Sequence, residues 1–299
     1  FNTAVKADYC AADYLPAQSN EYADAPYTVA KQTDKAEASV SVGGNAVAKD
    51  EESVSGNLLT RSGMIKKTSS GVYMYLPLGY KVMKNIEKII REEMENVNAG
   101  ELLMPALINE DVYVTSKRRD VFGNDMFSLK DRFDKPYVLA PTHEELFTIA
   151  AQAKVKSYKD LPFSIYQIQD KFRDEPRSRY GLIRVREFLM KDAYSFDMDE
   201  KGLNDSYNNM YNAYKKIFTG LGIDYRIVKS DTGAMGGLLS EEFQAITPIG
   251  EDKLVICDSC GYAANSDVAR CTLLTKKSDF GKKKRDFQVE MEVPISPDM

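Results

Sequence analysis

Two runs of alternating character, residues 163–175 and 184–196, constrain this chain more than any other feature. Successive side chains of a strand point to opposite faces. Gln167, Gln169, Lys171, Arg173 and Glu175 then share one face, and Tyr166, Ile168 and Phe172 share the other. A sheet face built only of polar and charged groups is either solvated or the floor of a polar site. A short turn containing Pro176 and Gly181 follows, after which Arg184, Arg186, Phe188 and Met190 again fall on one face. Paired as an antiparallel hairpin, the two runs set guanidinium groups, a carboxylate and an aromatic ring about one concave surface. Guanidinium forks bind phosphate oxygens, a ring stacks on a base, and a carboxylate accepts from an exocyclic amine. The inventory suits a nucleotide.

The remaining sequence sorts around that hairpin. A chain of 299 residues can bury a large core and hold more than one domain. Residues 1–52 carry nine acidic and four basic side chains, leaving 36 of each sign in the rest. This acidic segment without periodicity reads as a disordered tail, the reverse of an Arg-rich transit peptide. A neutral body still permits a nucleic-acid partner, because recognition needs only a local basic patch. With a mean hydropathy of −0.41 and no apolar run near the roughly 20 residues of a span, no membrane partner is expected. Four cysteines and no secretory leader lead to the expectation of a reducing, cytoplasmic setting. A chain beginning at Phe1 is expected to be a fragment or a processed product.

An amphipathic helix is predicted after Pro77, with Val82, Ile86, Ile89, Ile90, Met94 and Val97 on one stripe and Lys84, Glu87, Lys88 and Arg91 opposite, ending at Gly100. Residues 102–108 read as a buried strand whose Pro105 suits a sheet edge or a subunit boundary. A strand at 136–140 runs into a helix reaching about Ala153, and a second long helix spans 202–219 and stops at Gly220 and Gly222. Short strands follow near 223–229, 243–247 and 252–257. Without βαβ alternation the fold class is α+β, an antiparallel sheet flanked by helices. Neither a Walker loop nor G-x-G-x-x-G occurs.

Phe172-Arg-Asp-Glu175, a loop and Arg184-Val-Arg-Glu-Phe188 together resemble motif 2 of the class II aminoacyl-tRNA synthetases, and helix 78–99 with Met104-Pro105 resembles motif 1. More narrowly, Pro141-Thr-His-Glu-Glu145, Ser157-Tyr-Lys-Asp-Leu-Pro162, Tyr166-Gln-Ile-Gln169, the run from Arg186 to Phe196 and Asp231-Thr-Gly-Ala-Met-Gly-Gly237 resemble the bacterial-type prolyl-tRNA synthetases. The likeness extends from about Ser53 to Asp267. It implies ATP-dependent activation of proline and transfer to its tRNA, Mg²⁺ entering with ATP, and a homodimer joined through motif 1. It further implies that Arg173 and Arg184 are catalytic. Arg173 would hold the α-phosphate and the substrate carboxylate, Arg184 the terminal phosphates, and Glu175 and Phe188 the adenine. Thr142 and Glu144 would take the imino group, with Asp192, Tyr194, Phe196, Gly236 and Gly237 lining the amino-acid pocket.

The resemblance also sets the expected boundaries: a tail over 1–52, a catalytic core over 53–256, and the start of an inserted domain over 257–299. Motif 3 and an anticodon-binding domain do not occur before Met299, so the chain reads as the front half of such an enzyme. Ser116-Lys-Arg118 departs from the Ser-Gly-Arg expected at the rim of the site. Another class II enzyme, for threonine or serine, or a catalytically silent binding relative remain alternatives.

Several features have plainer readings. Arg173 and Glu175 could form an ion pair on a solvated strand. Thr142 and Glu145 match a T-x-x-E capping box that needs no substrate. His143, the one histidine of the chain, is read as a neighbour shaping the pocket, because adenylate formation needs no base. Cys257 and Cys260, with Cys271 as a third ligand, could hold zinc, against a reduced hairpin with no metal. The basic run at Lys282 reads as a solvated loop, and Tyr207, Tyr211 and Tyr214 as core packing.

Overall fold

The computed structural model describes residues 53–232, 240–247, 250, 252–257, 262–266 and 268–269. The tail 1–52, the turn at Gly236 and Gly237, Cys260, Cys271 and the run at Lys282 lie outside the described residues. The chain divides into two units between Gly222 and Ile223, a division inside the span 53–256 read as one core.

In the first unit Ser53 caps helix α1 (Val54–Arg61), its hydroxyl accepting the Gly56 N–H at 3.0 Å. Strands β1 (Ile65–Ser69) and β2 (Val72–Tyr75) form a hairpin turning at Gly71, whose φ is +71°. Pro77 opens helix α2 (Pro77–Asn96), where a missing N–H costs no bond. The helix stops before Gly100: Asn98 takes the left-handed turn at φ 55°, and Gly100 lies inside strand β3 (Ala99–Glu101). Glu87, expected on the solvated side, is buried between Lys84 and Arg91, each 2.8 Å from its carboxylate.

The apolar stretch 102–108 is not one strand. Residues 102–106 are irregular and Leu103 is 72 % exposed; only β4 (Leu107–Asn109) is extended into a ladder. Pro105 removes a donor from the segment, and Met104 uses its backbone on side chains instead. Its N–H donates to Gln167 at 3.0 Å and its carbonyl accepts from Gln169 at 2.7 Å.

Two short helices, α3 (Asp111–Thr115) and α4 (Arg119–Phe122), lead to β5 (Ser128–Lys130) and β6 (Pro136–Leu139). These strands make an antiparallel sheet in the order β4-β6-β5. Helix α5 (Glu144–Lys154) follows, then β7 (Phe163–Phe172) and β8 (Glu187–Phe196), which pair antiparallel along their whole lengths. β3 joins the free edge of β7 in parallel, making the sheet mixed rather than purely antiparallel. Helix α6 (Glu200–Gly220) begins at an Asp199 cap, and Gly222, at φ +72°, supplies the left-handed residue after its end.

Strand parity decides what each sheet face meets. Tyr166 turns to one side, where it packs with Met94 and Ala99 from α2 and β3 and with Ala213 and Ile217 from α6. Gln167, Lys171, Phe188, Asp192 and Tyr194 turn to the other, with Gln167 opposite Asp192 and Lys171 opposite Phe188. The two sheets join where Phe172 N–H donates to the Ala140 carbonyl at 2.9 Å. That junction brings residues 140–143 beside the end of β7. On α6, Tyr214 is buried against Phe218, as core packing requires, and Tyr207 and Tyr211 are half-buried against one another.

The second unit holds β9 (Tyr225–Lys229), β10 (Glu241–Ala245), β11 (Leu254–Ile256) and β12 (Ala263–Asn265) in the order β10-β9-β12-β11. β11 and β12 form a hairpin that Cys257 extends by donating its N–H to the Tyr262 carbonyl. No described helix is long and apolar enough to cross a membrane.

Candidate active site

The polar face of β7 and β8 is a buried floor, not a solvated surface. Gln167, Lys171 and His143 are fully buried, and Asp192 and Tyr194 keep only 8 % of their exposure. The Lys171 ammonium donates to Asp192 Oδ1 at 2.8 Å and lies 2.6 Å from His143 Nδ1. Asp192 Oδ2 accepts from Tyr194 at 2.8 Å and from Gln167 at 3.2 Å. His143 Nε2 sits 3.0 Å from the Pro105 carbonyl, which can only accept. The proton is therefore on Nε2, and Nδ1 takes the hydrogen bond from Lys171. Burial, then the neighbouring ammonium, lowers the His143 pKa to about 4, so the ring is neutral at pH 7. Burial likewise lowers the pKa of Lys171, against the opposing pull of Asp192. With both nitrogens engaged, His143 shapes the pocket and is no general base.

Glu144 begins α5 one residue on. Its Oε2 accepts from Thr142 at 2.5 Å and from Arg118 at 2.9 Å. Its Oε1 is buried and has no hydrogen-bond partner among the described residues. Arg118 also reaches Glu145 at 3.1 Å, which accepts from Ser116 at 2.7 Å, while the Tyr113 hydroxyl holds the Thr142 carbonyl at 2.6 Å. The capping-box alternative fails on this geometry. His143 is the N-cap, without a side-chain bond, and the Thr142 hydroxyl is spent on Glu144.

A second cluster of charged side chains lies where β7 ends. The Arg173 guanidinium stands 5.2 Å over the Phe188 ring and 3.4 Å from the Pro141 carbonyl. Glu175 pairs with Arg184 at 3.0 Å and accepts the Arg177 N–H at 3.0 Å, so Glu175 does take part in an ion pair, with Arg184. Partial burial raises the Glu175 pKa, but Arg184 and that N–H outweigh it and hold the carboxyl below its usual range. The connection is no short turn: residues 173–186 form a loop in which Arg179 and Arg184 bridge, with Tyr180 and Gly181 both at positive φ. Arg186 fastens it, its N–H donating to the Gly71 carbonyl at 2.8 Å and its Nε to the Glu175 carbonyl at 3.0 Å.

A buried carboxylate with one open oxygen thus neighbours a guanidinium backed by an aromatic ring. The family model for the tRNA synthetase class II core domain (G, H, P, S and T) matches residues 127–293, more than half of the chain. The chain belongs to the class II tRNA synthetase core family. Among curated relatives, this core is 52 % identical over 222 residues to a proline–tRNA ligase of Caldicellulosiruptor saccharolyticus, covering 74 % of this chain and 39 % of that one. It is 49 % identical over 232 residues to that of Levilactobacillus brevis, covering 78 % and 41 %. The chain therefore spans about two fifths of the length of the curated relatives it matches. Of solved structures, prolyl-tRNA synthetase from Cryptosporidium parvum with halofuginone and AMPPNP superposes at TM-score 0.58 and 19 % identity, over 64 % of this chain and 40 % of that one. The Giardia lamblia prolyl-tRNA synthetase in complex with prolyl-adenylate does so at 0.52 and 23 %, over 56 % and 35 %. At those identities the likeness is one of fold.

Within this class II core, the structure brings together Thr142 and Glu144, joins Asp192 to Tyr194, sets Arg173 on Phe188, and pairs Glu175 with Arg184. Phe196 stands apart from them at the far end of β8, about 14 Å along the strand from Asp192 at roughly 3.4 Å per residue, and stacks on Phe163. Gly236 and Gly237 are not among the described residues. Sequence reasoning missed Arg118 as the partner of Glu144, Tyr113 as the anchor of Thr142, and the burial of Lys171 and Gln167. The one signal for Arg118 was the unusual Ser116-Lys-Arg118, whose Lys117 takes φ 63°, a conformation in which glycine is the easier fit.

Proposed function

We propose that this class II core activates proline with ATP and hands it to its tRNA, as part of a proline–tRNA ligase. The observation that carries the reading is Glu144: a buried carboxylate held at Oε2 by Arg118 and Thr142, whose Oε1 makes no hydrogen bond among the described residues. Such an oxygen suits a secondary ammonium, which it would neutralise and orient. Arg173, whose guanidinium reaches the carbonyl of Pro141 three positions before Glu144 in the chain, suits the other end of the substrate, where a carboxylate meets the α-phosphate. Curated relatives near 50 % identity, named as proline–tRNA ligases, support proline over threonine or serine.

In the first step a proline carboxylate oxygen attacks the α-phosphorus, the bond to the bridging oxygen breaks, and pyrophosphate leaves. No proton moves, so no base is required. Arg173 neutralises charge that builds on the phosphoryl oxygens, and alignment supplies much of the remainder. Phe188 stacks on the adenine and Glu175 accepts from its amine, for which Arg184 must turn from Glu175 toward the terminal phosphates. In the second step a ribose hydroxyl oxygen of the tRNA attacks the prolyl carbonyl carbon, the bond from that carbon to the phosphate oxygen breaks, and AMP departs with the hydroxyl proton passing to its phosphate. Thr142, Asp192 and Tyr194 line the prolyl pocket. Mg²⁺ enters on the phosphates. Two copies pair through α2 and the stretch leading into β4, where exposed Leu103 and Leu107 support an apolar contact. The setting is the cytoplasm.

Exchange of labelled pyrophosphate into ATP, run on the full-length protein with each amino acid in turn, tests the reading. Exchange with proline alone is expected. Exchange with threonine or serine instead, or with none of the twenty, overturns it.

A further inference from the structure

A lysine with no exposed surface is the feature of the floor that the proposed chemistry leaves unused. Lys171 sits on β7, Asp192 on β8, and His143 on the segment entering α5, so its two hydrogen bonds tie three remote stretches of chain at one nitrogen. Burying an ammonium is costly, and an apolar side chain of similar volume would often hold two strands together as well. A charge kept in such a place is better explained by what it positions.

The chain of contacts leads to the substrate carboxylate. His143 is gripped at both ring nitrogens, by Lys171 on one side and the Pro105 carbonyl on the other. It is also the N-cap of α5, and no side chain caps that helix end. The ring, rather than a cap, therefore sets how the helix begins, and Glu144 is its first residue. Asp192 fixes the ammonium from the opposite side and is itself held by Tyr194 and Gln167.

Taking the proline-activating function as given, we propose that Lys171 is a positioning residue for amino-acid binding: through His143 it sets the direction of the open Glu144 oxygen that receives the substrate amine. Lys171 itself does not touch the substrate. The charged groups facing it are Asp192, Glu144 and Arg173, with His143 between it and the helix.

The test compares Lys171→Met, which keeps length and loses the donor, with His143→Leu, which keeps the Lys171–Asp192 pair and removes the ring's bonds to Lys171 and to the Pro105 carbonyl. Calorimetry on the full-length protein measures affinity for prolyl-sulfamoyl adenosine, a non-hydrolysable adenylate mimic, and separately for ATP. Both variants are expected to bind the mimic at least tenfold more weakly and ATP within threefold of the parent. The double variant should bind no worse than Lys171→Met alone, because both changes break one link. In Lys171→Met the His143 imidazole should titrate upward from about 4 toward its ordinary value, as followed by NMR. Parent-like affinity for the mimic in His143→Leu overturns the proposal, as does a loss additive in the double variant; should Lys171→Met fail to fold, His143→Leu decides alone. If the parent shows no preference for the prolyl mimic over its threonyl and seryl counterparts, the functional reading falls first and the proposal with it.

Discussion

Arg173 stands over the Phe188 ring and makes a long contact to the Pro141 carbonyl, and its truncation should be felt more in binding than in stability. Arg173→Ala is expected to weaken ATP binding at least tenfold, the loss of about one charge-assisted pair, while the thermal midpoint stays within about 3 °C. His143 carries a pH dependence whose sign is fixed by its lowered pKa. The unfolded ring titrates near 6.5 and the native one near 4, so below pH 6.5 the unfolded chain binds a proton that the native site refuses. Stability from this group is complete above 6.5 and falls by roughly 3 kcal/mol as pH drops to 4. Urea midpoints at pH 7 and 4.5 should thus fall further in the parent than in His143→Leu. Lys117→Gly should raise stability by about 1 kcal/mol by relieving its positive φ, read as a higher melting temperature. Parity placed Lys171 on the correct face from sequence alone. It could not show that the face is closed over, because the cover comes from Pro105 and His143, far away in the chain.

The loop 173–186 is preorganised by elements that precede it. A Cβ on Gly181 would lie 2.8 Å from the Gly56 Cα on α1, and one on Gly71 would lie 2.4 Å from the Ser178 hydroxyl. Loop, helix and hairpin touch at distances that only hydrogen allows. Gly181→Ala, at φ +61°, is expected to cost about 1–3 kcal/mol and to speed amide exchange across residues 174–186, read by mass spectrometry. Local signals announced the hairpin, both long helices and their ends to within a few residues, because parity, helical period and terminal glycines are written locally. The loop was read as too short because the alternation continues through Arg184 and Arg186, where Arg184 bridges only to Arg179 inside the loop and not along the β7 ladder. The stretch 102–108 was read as a strand because its composition is apolar. Its backbone partners are glutamine side chains more than sixty residues away, which no local pattern reveals.

For the whole molecule, the α+β architecture was legible because strands and helices do not alternate as βαβ units, whereas the parallel attachment of β3 and the division at Gly222 were not. Both depend on contacts distant in sequence. Leu103, expected to be buried in a strand but 72 % exposed, gives the proposed homodimer its test. Leu103→Asp should shift sedimentation from dimer toward monomer while leaving the melting transition of the subunit cooperative. The buried ion pair also has a history that begins before folding ends. Asp192 follows Lys171 by 21 positions, which at roughly 5–20 residues per second takes a ribosome about one to four seconds. Until β8 emerges, the lysine lacks Asp192, the carboxylate that hydrogen-bonds its ammonium. Slow codons between the two residues would prolong that interval and, with it, the exposure of a half-made site to chaperones.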